Sequence, residues 1–451
     1  MSMKDLSSGN IYKNMMLFAI PLVLSGLLSQ GFNLVDTVIA GQFLGTDGLA
    51  AIGATSAYLT FASSVIWGLS AGLGMYLGQL FGAKKYSEIR SVFRSNAVFL
   101  LLAILLITSV SVIFSDAILT FLNVDASIYK QTKTYFLIYS AGLGLILFNN
   151  VGVHTLNAYG SSTYPLYVSI SSAVINIVGN ILSVTVLGLG VAGIALFTVV
   201  AAGVGDVLFY IKIMKTYREM GVIKENPPIS FAKVKETAGF TLPSSFQQSV
   251  MYVSRLAISP IVNGLGSAAT ASYAVVLRIY NVCGEIYFNS VKSLQVHTAQ
   301  SIGAGKLDRA KKGLAVGTVQ NAVLVTPMIL ACVFLAKPIA MLFFRDDADP
   351  VALAYTLEFM RFFVPFTYFN LLGNVFHGFF KALGARRELI GATSVGSAVQ
   401  LVASILFAHF MGMRGVFIGW AISWIADAGC GFLMYRLGYW KKRIRVLDHS
   451  K

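Results

Sequence analysis

The sequence predicts an all-α polytopic membrane protein of twelve transmembrane helices, arranged as two pseudo-symmetric six-helix bundles in tandem. Three observations carry that prediction. The 451 residues are 56% hydrophobic and only 12% charged, with a mean hydropathy of +0.73, whereas a soluble globular chain is roughly a quarter charged. Apolar runs long enough to span about 30 Å of hydrocarbon, which takes about 20 helical residues, recur along the whole chain. Short motifs of the first half return in the second half at a nearly constant offset.

The apolar runs place helices at residues 13–37, 48–79, 92–114, 129–157, 163–187 and 191–215, then at 238–262, 269–299, 313–337, 350–380, 389–411 and 414–437. Several exceed the length needed, which implies tilt or extension beyond the bilayer. The charges between them alternate. Lys4 and Lys13, then Lys84 to Arg94, Lys212 to Lys235, Lys306 to Lys312, Lys381 to Arg387, and the tail GYWKKRIRVLDHSK fall on one side. The intervening loops hold Lys130, Lys133, Lys337, Arg345 and Arg414, with the acids Asp116, Asp125, Asp346, Asp347 and Asp349. Of the 34 Lys and Arg, 25 lie on the first side, 5 on the second and 4 within helices. The positive-inside rule then predicts a multi-pass protein of the cytoplasmic membrane with both termini cytoplasmic, which an even helix count requires.

The net charge of +15 does not point to nucleic acid, because the basic residues sit in short clusters between apolar runs without a recognition motif. Cys283, Cys332 and Cys430 lie in apolar segments and offer neither a disulfide framework nor a metal spacing. No cleaved signal peptide is read in the polar start MSMKDLSSGNIYKN. No nucleophile–base or H-E-x-x-H pattern supports an enzyme, and no cofactor is expected.

The repeat is legible in four places. GQLFGAKK matches AQSIGAGK (Gly82 to Gly303) and FLGTDGLAA matches GLGSAATAS (Gly45 to Gly266), both at an offset of 221. NAYGSSTYPL matches KALGARRELI at 224, Gly160 to Gly384, and GVAG matches GMRG at 222, Gly193 to Gly415. The longest polar connection, KTYREMGVIKENPPISFAKVKE, lies between the halves. The domains expected are an N-lobe over 1–215, a cytoplasmic linker over 216–237, a C-lobe over 238–437 and a basic tail over 438–451. Two even-numbered bundles insert with one orientation, as in parallel-repeat transporters whose halves rock to give alternating access.

These motifs resemble the multidrug and toxic compound extrusion (MATE) family. The features are P-x(14)-D-T from Pro21 to Asp36, the GA-x-K loops at Gly82 and Gly303, and the 6+6 repeat; TLPSSFQQS, with Pro243, Gln247 and Gln248, is similar to the prokaryotic DinF-like branch. The resemblance spans residues 10–437. It implies a V-shaped cleft between two lobes and a secondary antiporter, expected as a monomer. Such an antiporter exports lipophilic, often cationic compounds in exchange for H⁺ or Na⁺. Members of the wider superfamily flip lipid-linked saccharides, which is the other reading.

Ionisable residues inside the membrane are functional candidates because burying their charge is costly. Asp36 leads, with Gln30 and Asn33 on the same helix. VINIVGNIL places Asn176 and Asn180 at i, i+4 on one helical face. In resembling proteins, a helix-1 acid and this helix-5 pair form the proton or Na⁺ site. Tyr135 and Thr198 fall where those proteins supply hydroxyls. Many relatives carry Asp where this chain has Asn180. One carboxylate with neutral amides suits H⁺ better than a hard cation wanting several charged oxygen ligands, and Na⁺ remains the alternative. The amides also serve as interhelical hydrogen-bonding groups in the plainer reading. Pro21 and Gly31 weaken the backbone ladder and leave helix 1 able to bend.

In the second half, LRIYNVCGEIYFNSVKSLQ sets Arg278, Asn281, Glu285, Asn289 and Lys292 at spacings of 3, 4, 4 and 3, one helical stripe. A mixed-charge stripe avoids lipid, so it lines the cleft or packs on the other lobe. Gln30, Gln247 and Gln248 join it as cleft candidates. Charge compensation among Arg278, Glu285 and Lys292, through Arg255 or Gln248, and a second proton or cation site at Glu285 are both open. The resemblance covers Arg278 only. Asp206 and Asp427 are repeat-equivalent and read as structural, His154 and His377 as packing residues, and Glu358 with Arg361 as a local i, i+3 ion pair.

Overall fold

In a computed structural model of the chain, the structure describes residues 3–344 and 349–443. The Asn33 side chain, the loop charges Arg345, Asp346 and Asp347, and the tail beyond Arg443 lie outside the described residues. All regular structure among those residues is helical.

The chain divides into two compact units, one of residues 1–5 with Leu24–Ser245 and one of Leu6–Val23 with Phe246–Lys451. The boundaries of these units fall inside helices α1 (Ile11–Gly82) and α8 (Phe231–Asn263). Besides its parts of α1 and α8, the first unit contains α2 (Tyr86–Ile113), α3 (Ser115–Phe121), α4 (Tyr129–Ala141), α5 (Leu143–Ala158), α6 (Thr163–Thr185) and α7 (Gly190–Glu219). The second contains α9 (Ser267–Gly303), α10 (Leu307–Phe334), α11 (Ala336–Met341), α12 (Pro350–Glu358), α13 (Thr367–Leu383), α14 (Arg386–Met411) and α15 (Met413–Leu437).

The twelve expected spans all fall on helix. α1 carries the first two, broken at Gly45, whose φ of 68° is the non-helical position inside it. Pro21 and Gly31 lie within helical backbone. Seven helices are long and apolar enough to cross a bilayer among the described residues, eight with α4 and α5 taken as one span bent by 44°. α8, α9 and the segment 350–383 are not among them. α9 carries Arg278, Glu285 and Lys292, and 350–383 is interrupted by a π-helical turn at Phe359–Phe363 and a 3-10 turn at Val364–Phe366.

That π turn explains one departure from expectation. A wider turn takes residues three apart off a common face, and Glu358 accepts from Arg414 Nε at 2.8 Å while Arg361 is exposed. α12 begins where local chemistry dictates. Asp349 accepts the Val351 N–H at 2.8 Å as N-cap, and Pro350 occupies the first turn. In the α2–α4 connection, Lys133 and Tyr129 donate to Asp116 Oδ1 at 2.5 and 2.7 Å, holding that carboxyl below its ordinary range.

The repeat recurs in the backbone. Gly45 and Gly266 both have positive φ, as do Gly160 and Gly384. Lys84 takes φ 58° where the second half has Gly305 at 71°, and the following caps, Lys85 and Lys306, share ψ near 64°. Small residues let helices meet closely. A Cβ at Gly68 or Gly72 would collide with the α8 backbone at Ser244–Ser245 or Phe240–Thr241.

Candidate functional site

In the first unit, α6 and α7 approach closely because Gly179 lies under the Phe197 ring and Gly193 under Ser183, where any Cβ would clash. That contact brings Thr198 to Asn176. Thr198 Oγ1 donates to its own Ile194 carbonyl at 2.9 Å and accepts from Asn176 Nδ2 at 3.1 Å. Asn180, fully buried, spends one N–H on Asn176 Oδ1 at 3.2 Å and one on Asp36 Oδ1 at 2.9 Å. The order Asp36–Asn180–Asn176–Thr198 thus runs across three helices.

The Asn176 amide serves in either orientation. Turned over, its nitrogen reaches Asp36 Oδ1 at 2.8 Å and Oδ2 at 3.1 Å, and its oxygen faces Thr198 Oγ1 at 3.1 Å. An ionised carboxylate accepts only, and a protonated one also donates. The amide pair can therefore satisfy Asp36 with or without its proton. Tyr135 is buried and stacks on Tyr139 at 5.8 Å; among the described residues, no hydrogen bond joins it to this chain of side chains. Gln30 is half-buried on α1.

The second unit brings only part of the predicted stripe together. Lys292 Nζ donates to Asn289 Oδ1 at 2.7 Å, and Asn289 Nδ2 donates to Glu285 Oε2 at 2.7 Å, so an amide relays between the charges. Arg278 and Asn281 are exposed. Gln247 is buried and Gln248 half-buried.

A polar cavity within the second unit was not anticipated as a site. Its lining includes Arg255, Tyr280, Asn370, Asn374, His377 and Asp427. Arg255 lies 5.7 and 5.2 Å from the ring centres of Tyr252 and Tyr280, close enough for cation–π attraction. Asn370 donates to the hydroxyls of Tyr280 and Tyr287 at 2.8 and 3.1 Å, and Asn374 donates to Asn370 Oδ1 at 2.8 Å. His377 Nε2 stands 3.0 Å from Asp427 Oδ1. The spacing of Asn370, Asn374 and His377, four and three residues, is a one-face helical pattern that could have marked the site in the sequence.

The MatE family profile matches this chain twice, over residues 21–182 and 243–406. The chain belongs to the MatE family. The two MatE matches begin 222 residues apart (243 − 21), within the range of offsets of the internal motifs. Among curated MatE-like relatives, the chain is similar to a probable multidrug resistance protein, YpnP, of Bacillus subtilis (strain 168), 24% identical over 441 residues and covering 97% of each chain. It is similar to the FAD transporter of Shewanella oneidensis, 26% identical over 454 residues, covering 96% of this chain and 97% of that one. It also resembles the multidrug export protein MepA of Staphylococcus haemolyticus, 23% identical, covering 98% and 96%. An outward-facing structure of a multidrug resistance MATE transporter of the MOP superfamily superposes with a TM-score of 0.89 at 20% identity, covering 98% of this chain and 100% of that one. The fold is thus the MATE fold over nearly the full chain.

Proposed function

We propose that this MatE-family protein is a secondary antiporter of the DinF-like branch that exports lipophilic, cationic compounds across the cytoplasmic membrane in exchange for H⁺. The names of YpnP and MepA as multidrug resistance and export proteins support the substrate class. The observation that carries the coupling ion is the Asp36 carboxyl, placed in an apolar helix and met by the Asn180 amide at 2.9 Å. One proton moving inward gains about 2.3 kcal/mol per 100 mV and about 1.4 kcal/mol per pH unit of gradient. That offsets export of one cationic charge. In this reading the protein works by alternating access, Gln30, Gln247, Gln248 and the Arg278–Lys292 stripe contact the substrate, and Pro21 and Gly31 let helix 1 bend as Asp36 changes protonation. The protein acts as a monomer with cytoplasmic termini.

Na⁺ is the second reading of the same site, since the side-chain oxygens of Asp36 and Asn176 both lie against Asn180 Nδ2, at 2.9 and 3.2 Å. Proteoliposomes loaded with ethidium separate the two. Under an imposed ΔpH, the wild-type protein should export the dye and Asp36→Asn should lose most of that flux, because the variant has no carboxyl at this site to carry the coupling proton. Undiminished ΔpH-driven export in Asp36→Asn, or export driven by a Na⁺ gradient alone, overturns the proton reading.

A further inference from the structure

We propose that Cys283 and Cys332 form a two-coordinate binding site for a soft divalent cation of the Hg²⁺ type, bridging α9 and α10 inside the second unit. The two thiols are 49 residues apart, a spacing that carries no metal motif. The packing of α9 on α10, helices joined by the turn at 304–306, brings them together. Their sulfurs stand 4.0 Å apart, and the residues are 2% and 1% exposed. Both are free thiols in the apolar core of this unit, in one cluster with Ile279, Tyr287 and Ile329. The one polar group among those three is engaged elsewhere. The Tyr287 hydroxyl donates to Tyr280 at 3.2 Å and accepts from Asn370 Nδ2 at 3.1 Å.

Geometry chooses among the reactions open to such a pair. A disulfide has an S–S length of about 2.05 Å, so the sulfurs would have to close by about 2 Å, and an oxidant would have to take up two electrons. A metal–thiolate bond is about 2.3 Å long, so an ion held in line between two sulfurs needs them about 4.6 Å apart. From the present 4.0 Å, that is an opening of about 0.6 Å. In a close-packed core the smaller displacement is the cheaper one.

Ligand count and charge then select the ion. Zn²⁺ takes four ligands in closed sites, and among the described residues no three His, Cys, Asp or Glu side chains are placed to hold an ion together. Thiolates favour soft ions, and soft d¹⁰ ions accept two ligands in line. Two thiolates carry two negative charges. Hg²⁺ cancels both, whereas Cu⁺ or Ag⁺ leaves one charge uncompensated in an apolar core, where it is costly. Burial does not bar entry, because HgCl₂ is an uncharged molecule that dissolves in hydrocarbon. On binding, each S–H bond breaks and its proton leaves with a chloride, two Hg–S bonds form, and nothing is oxidised or reduced.

The site needs neither substrate nor coupling ion, so its test is independent of the antiport reading. The full chain carrying Cys430→Ser, reduced and held in lipid nanodiscs, is given one equivalent of HgCl₂ and washed with excess glutathione before its intact mass is recorded. One mercury per chain should remain, with two hydrogens lost. Cys283→Ala or Cys332→Ala in the same background leaves a single thiol without the effective concentration of the second, and retained metal should fall about a hundredfold or more. Mercury L-edge absorption of the loaded protein should show two sulfur neighbours on one ion, a measurement that decides by itself if either variant fails to fold. Removal of the mercury by glutathione, equal retention with one thiol, or a single sulfur neighbour overturns the proposal. So does a loss of two hydrogens with no metal bound, which marks a disulfide instead.

Discussion

Asp36 and Asn180 meet across a single hydrogen bond of 2.9 Å, and neither is cheap in hydrocarbon alone. A charged carboxylate at mid-helix costs about 2.5–3.5 kcal/mol on insertion scales, and an amide without partners costs about 1–3 kcal/mol. Each offsets the other's cost, which ties α6 to α1 through one pair. Asn180→Leu keeps the volume close but removes the donor. A hydrogen bond to a charged group contributes about 1.5–3 kcal/mol, so this variant should lower ΔpH-driven flux by about tenfold or more. The measurement is the pH dependence of ethidium flux in proteoliposomes. A profile identical to wild type would show that Asn180 does not act on Asp36. The amide spacing in VINIVGNIL pointed to a shared face, but which amide touches the acid follows from how α6 meets α1, a tertiary fact. The His377–Asp427 pair was hidden for the same reason. Residues 50 positions apart (427 − 377) leave no periodic trace in a sequence.

At the scale of helices, glycine decides how near two cylinders come. Gly68 and Gly72 are four apart on α1 and face the α8 backbone, and Phe240 and Thr241 leave no room for a Cβ at Gly72. Gly72→Leu must push α8 away, and overpacking of this kind costs about 1–3 kcal/mol, occasionally more. The variant should melt several degrees below wild type in nanodiscs. Gly31→Ala is the matched control, since nothing lies within 4 Å of the position a Cβ would take there and alanine suits a helix better by about 1 kcal/mol. Equal melting of wild type and Gly72→Leu would show that this contact is not under the constraint described. The same scale explains the Glu358 partner. The i, i+3 rule presumes α-helix, and the π turn at Phe359–Phe363 removes Arg361 from the face that Arg414 reaches.

For the molecule as a whole, the orientation we propose rests on the charges between helices, 25 basic residues against 5. A fluorescent protein fused after Lys451 should fold and fluoresce in the cytoplasm, and alkaline phosphatase inserted after Asn123, in the opposite set of loops, should be active outside it. The reverse pattern would overturn the assignment. The sequence by itself determined the class, the helix positions and the duplication, because hydrocarbon thickness, charge translocation and copied turns each leave a local or strictly periodic record. Gly45 and Gly266, or Lys84 and Gly305, keep both their spacing and their backbone conformation. Only the tertiary structure decided where the two compact units divide, within α1 and α8, and which polar side chains share a site. Arg255, Asn370, His377 and Asp427 come from three helices, α8, α13 and α15, and their meeting depends on how close those helices pack. That closeness is a sum of many small van der Waals contacts, distributed over residues that no single motif records.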